Sequence, residues 1–195
     1  MRFPTLILFL CLCAESVRSQ PTPAPLGPKE TLKSWNFEEA TVDKVLPWYQ
    51  ATTDDEKKLA RSMAVQSIAS TRLSKAVREK WGHDAETVIT HLCLTETHED
   101  DDAAPVVIEG DHATLTFNVP DMAPLFLIRT NGVWRVDTAA YVNALGAQLQ
   151  TAVTYCDQSA VEYDKLADAV IAGKFSTAQE AIDALKKAVE PLDAK

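Results

Sequence analysis

At Pro105 the apolar residues of this chain change their period, and that change does most to limit what the chain can fold into. Before it, Leu59, Met63, Leu73, Val77 and Trp81 recur at helical spacing. After it, Ala113, Leu115, Phe117 and Val119 alternate with Thr114, Thr116 and Asn118. Beyond residue 138 the helical period returns. A helical block, an alternating block and a second helical block specify an α+β chain, with N-terminal helices, a small antiparallel sheet of about four strands, and two C-terminal helices covering that sheet.

Local signals sharpen the blocks. Asn36, with Glu39 three positions on, predicts a first helix that Pro47 limits to about three turns. Thr53-Asp54-Asp55-Glu56 is a capping box with its acids where the helix dipole favours them, and Gly82 supplies the stop. A short helix then starts at Asp84. In the alternating block, VVIEG ends at the turn pair Gly110-Asp111, HATLTFNV follows, and PDMAP breaks the pattern. PLFLIRT and VWRVD flank Asn131-Gly132, the pair that most readily supplies two positive φ angles to a tight hairpin. In the last block, Val142, Leu145, Leu149, Val153, Cys156, Tyr163, Leu166 and Val170 form one stripe, which predicts a single helix over 139–172 ending at Gly173. That stripe is also the surface through which a homodimer would form. Ser176 and Gln179 cap a final helix whose Ala181, Leu185, Ala188 and Val189 face inwards and which Pro191 ends.

The N-terminus reads as an address. Arg2, the apolar run Leu6 to Cys13, and Val17-Arg18-Ser19 have the form of a secretory signal cleaved near Ser19. The run falls far short of the ~20 residues of a membrane span, so no membrane insertion is expected. Residues 20–30, with prolines at 21, 23, 25 and 28, read as an extended tether, leaving 31–192 as a single domain in a secreted or periplasmic protein. Removing residues 1–19 takes away Arg2, Arg18 and Glu15 and leaves 17 basic against 27 acidic residues, a formal charge of −10. Such an acidic surface repels phosphate backbones, which argues against nucleic acid as a partner. Only Cys93 and Cys156 then remain. In an oxidising compartment they either form a disulfide or pack as two small buried thiols.

Residues 92–105, LCLTETHEDDDAAP, concentrate ligand-type side chains behind His91. Counted from Asp100 as a calcium loop, Asp102 stands at the third position, but Ala104 and Pro105 occupy the fifth and sixth. His98-Glu99 lacks the second histidine of a zinc-protease helix. Adjacent aspartates repel, so the stretch reads as a charged helix-to-strand loop, with Asp100 and Asp102 as the candidates for weak cation binding. No motif calls for a cofactor. Neither a Gly-x-Ser-x-Gly elbow nor a phosphate cradle is present. His112, at the start of a strand, and Asp137, at the end of another, are the candidate catalytic pair, since an Asp–His pair in a dry pocket can move protons.

The stretch PLFLIRTNGVWRVDTAAY, with the early helices and paired strands, resembles the nuclear-transport-factor-two-like superfamily, including SnoaL-like domains. Leu125 to Ile128, Asn131, Gly132, Trp134, Val136 and Asp137 match that family's hairpin, and the likeness covers residues 36–142. It implies a cone of helices against a curved sheet that encloses a pocket. It also implies either a small-molecule isomerase or hydrolyase, or an exported accessory module. The two helices beyond residue 142 depart from the pattern and would plug or cover the concave face. Together with the acidic, motif-poor composition, this favours a non-catalytic module that binds a protein or small ligand. The isomerase with His112 or Asp137 as base is the alternative.

Overall fold

The computed structural model describes residues 26–38, 40–93, 98–119 and 122–193. The expected signal segment 1–19, with Cys11 and Cys13, and the first part of the expected tether lie outside them. Helix begins at Pro28, inside the expected tether: α1 (Pro28–Lys33) places proline in its first turn, where no N–H is needed. The helix expected after Asn36 does not form there. Asn36 Oδ1 instead accepts a hydrogen bond from Glu38 N at 3.0 Å, a local turn that competes with helix. Trp35 stacks on Trp48, ring centroids 5.3 Å apart, and Phe37 meets Trp48 edge-on. Helix is confined to α2 (Val42–Val45) and a 3-10 turn over Leu46–Trp48.

A two-residue strand, β1 (Tyr49–Gln50), leads into α3 (Asp54–Trp81), a 28-residue helix about 42 Å long. Its capping box forms as the sequence requires: Thr53 Oγ1 accepts from Glu56 N, and Glu56 Oε2 accepts from Thr53 N and from Thr52 N and Oγ1. Next come α4 (His83–Leu92) and α5 (His98–Ala103). The charged stretch is therefore helical over 98–103 rather than a loop. Lys33 pairs with the Asp102 carboxylate and Lys29 Nζ donates to Asp102 O at 2.9 Å, so α1 supplies the positive charge that offsets the repulsion among the aspartates.

The strands β2 (Val106–Glu109), β3 (His112–Leu115), β4 (Leu125–Thr130) and β5 (Val133–Asp137) form the meander that the alternation predicts. Asn131 (φ 54°) and Gly132 (φ 78°) make the β4–β5 turn. The sheet is nevertheless mixed and five-stranded, in the order β1-β5-β4-β3-β2. β1 pairs parallel to β5, Tyr49 against Val136 and Gln50 against Asp137. Two residues are too few to show alternation, which is why the sequence reading counts four antiparallel strands.

The predicted helix over 139–172 is two helices, α6 (Thr138–Leu145) and α7 (Leu149–Ile171), joined by a 3-10 turn at Gly146–Gln148. Gly146, at φ 52°, makes the bend. The last helix, α8 (Ala178–Asp193), runs past Pro191. It is capped one residue later than expected: Thr177 Oγ1 accepts from Glu180 N, and Glu180 Oε2 accepts from Ser176 N at 2.7 Å.

Two apolar cores result. In the sheet core, Leu115, Leu127, Trp134 and Val136 pack with Leu32, Val45 and the α3 residues Ala60 and Ala64. In the helical core, the α3 residues Leu73 and Val77 pack with Ile89 and Cys93, with Tyr163 and Val170 of α7, and with Leu185 of α8. The C-terminal helices therefore build a bundle with α3 and α4 instead of covering the sheet. The α7 stripe is buried against its own chain, at Val153, Cys156, Tyr163 and Val170, and so is not the free face that the homodimer reading required. No described helix is long and apolar enough to cross a membrane.

Candidate functional site

Strand register sorts the sheet residues between two faces, because Cα partners point the same way. Ala113, Leu127, Trp134 and Val136 face the sheet core. Val107, Thr114, His112, Phe126, Ile128, Arg135 and Asp137 take the opposite face, where Val107 and the His112 side chain are exposed.

On that open face His112 Nδ1 lies 3.3 Å from Asp137 Oδ2. β4 runs between their two strands, so the pair reaches across it. The sequence reading named both residues, and the fold brings them together. Their surroundings differ. The Asp137 side chain is 9% exposed and the His112 side chain 63%. Asp137 is buried because it ends β5 and caps α6, its Oδ1 accepting from Ala140 N at 3.1 Å. One carboxylate thus holds a helix with one oxygen and turns the other towards an imidazole. With its Nδ1 edge facing Asp137, the ring leaves Nε2 for an incoming group. Arg135 is tied down beside them, its Nε donating to Pro47 O at 3.0 Å and its Nη1 to Thr130 O at 3.3 Å.

Two residues with no sequence signal complete the surroundings. Tyr141 meets Phe126 edge to face, centroids 5.1 Å apart, and donates its hydroxyl to Pro124 O at 2.9 Å. Thr138 is fully buried, and its Oγ1 has no hydrogen-bond partner. Tyr141 follows Asp137 by one helical turn, a spacing that becomes meaningful only once Asp137 is known to be the cap.

The other candidates are dispersed. Asp100 Oδ2 meets His91 Nε2 at 2.7 Å, while Asp102 meets Lys33. The two carboxylates offered for weak cation binding each face a basic group instead of a shared point. Among the described residues no cluster of three His, Cys, Asp or Glu side chains could hold a metal ion. Of the two readings of Cys93 and Cys156, the structure has the second: both are free, buried thiols. Burial pushes each up to about 12, which keeps them protonated and unreactive. Comparison with protein-family models, with curated proteins and with solved structures finds no match.

Proposed function

We propose that this chain is an exported, non-catalytic binding or accessory module whose recognition surface is the open face of the sheet. The observation that supports it is the placement of the His112–Asp137 pair: its imidazole is 63% exposed at its side chain, on a face with exposed Val107, away from the two apolar cores. A pair whose imidazole stands open to water cannot exclude solvent from a reacting group. It can, however, present a donor and an acceptor to a protein or a small ligand. The acidic chain, at formal charge −9, disfavours phosphate backbones as that partner. A photo-crosslinking residue at Thr114, on the same face but away from the sheet edge, should capture the physiological partner from the secreted medium, and one at Val161 on α7 should not. Equal capture from both positions, or none, counts against the reading. Export is tested separately by the N-terminus of the secreted chain, expected at Gln20.

The 3.3 Å approach of His112 to Asp137 favours a second reading, a SnoaL-like isomerase or hydrolyase with His112 Nε2 as base and Asp137 as the group that orients it. Its test is deuterium uptake by a panel of small ketones in D2O. Catalysed exchange that is lost in His112→Gln would establish the enzyme over the binding module.

A further inference from the structure

β2 ends the sheet, with no strand on its outer side among the described residues. The phase of its ladder is fixed by one bond beyond the strand, Thr116 N donating to Pro105 O at 3.1 Å, in line with the pairs Val107–Thr114 and Glu109–His112. In an antiparallel ladder the residues that exchange hydrogen bonds alternate. Pro105, Val107 and Glu109 therefore spend their backbone groups on β3, and Val106 and Ile108 turn theirs outward. Val107 is 59% exposed and Ile108 51%. Between Val106 and Ile108 the edge carries no lysine, no inward charge and no bulge, and the shortness of the four-residue strand is what limits its pairing. Pro105 does not help, since its missing N–H lies on the inner side.

We propose that β2 is a self-pairing edge, and that two copies of this chain join through it antiparallel, about a two-fold axis at Val107, into one ten-stranded sheet. The register is self-complementary. An axis through Val107 sets Val106 opposite Ile108 of the second copy and Ile108 opposite its Val106. These are the residues whose N–H and C=O groups point outward, so four inter-chain hydrogen bonds form with no change in either strand. Val107 meets its own counterpart in the close, non-bonded position on the open face. Glu109 falls opposite Pro105, so no two carboxylates are set directly against each other. A foreign strand could use the same groups, but this chain supplies a matching strand in the right phase. The inference rests on the edge alone and stands whether or not the open face binds a ligand.

Five residues on each side make a small interface, so the dimer belongs to the weak class that buries less than ~1,200 Å². Sedimentation equilibrium on the full chain, in a series reaching ~1 mM, should show the mass rising towards twice the monomer. Added salt should strengthen the association, because both copies carry formal charge −9. Ile108→Pro removes an outward N–H and leaves the β2–β3 ladder whole, so it should stay monomeric with unchanged circular dichroism. In a chain with Cys11 and Cys13 changed to serine, Val107→Cys should link two chains on air oxidation and Ile108→Cys should not. A parent that stays monomeric throughout, an Ile108→Pro variant that dimerises like the parent, or equal linking from both cysteine positions would overturn the proposal.

Discussion

Thr138 and Glu56 show opposite fates of a buried polar side chain. The Thr138 hydroxyl gave up water for nothing, and an unsatisfied buried group costs about 1–3 kcal/mol. Thr138→Val should therefore raise stability by about 1 kcal/mol in urea unfolding, a gain that few threonine-to-valine changes give. Glu56 is buried too, but the backbone N–H and the hydroxyl of Thr52, then Thr53, hold its carboxyl down to about 2 from an ordinary 4.5. The folded form prefers the carboxylate, so this stabilisation is complete above pH 4.5 and is lost as the pH falls towards 2. Glu56→Ala should cost about 1–2 kcal/mol at neutral pH, with the gap to wild type closing in unfolding curves taken down to pH 2. Cys93 and Cys156, held near 12, should resist iodoacetamide at pH 8 in the native chain and react once denaturant opens the helical core.

Several elements with local signals were legible from the residues, although the Asn36 signal, local too, gave a turn instead of a helix. The α3 cap needs only Thr53 and Glu56, and the β4–β5 hairpin needs only Asn131 and Gly132. At φ 78°, Gly132→Ala should cost about 1–2 kcal/mol and speed amide exchange in β4 and β5. Elements defined by distant partners were not legible. β1 exists because Val136 and Asp137 lie beside Tyr49 and Gln50, and no periodicity in two residues announces that. The α7 stripe was readable as buried, but nothing in it says whether a sheet, a helix or a second chain buries it. α5 formed against the expectation for adjacent aspartates because α1 brought Lys33 to Asp102. For the candidate site the residue types were visible, and His112 and Asp137 stood out. Their meeting across β4 depends on strand order, and their exposure depends on where the helices settle.

For the whole molecule, α3 is the common wall. Its first half supplies Ala60 and Ala64 to the sheet core, and its second half supplies Leu73 and Val77 to the helical core. Neither core can lose α3 and survive, so the two should unfold together. Leu185→Ala, in α8, should cost about 2–5 kcal/mol and should lower amide protection in β4 and β5 as much as in α7. Protection lost in α7 alone would show two units that melt separately. The shared helix also bears on how such a protein can be inherited. A gene crossover inside codons 54–81 would join the start of one wall to the end of another, each shaped for different neighbours. Recombination therefore finds no safe cutting point along that stretch, and the two halves of this architecture pass on as one piece.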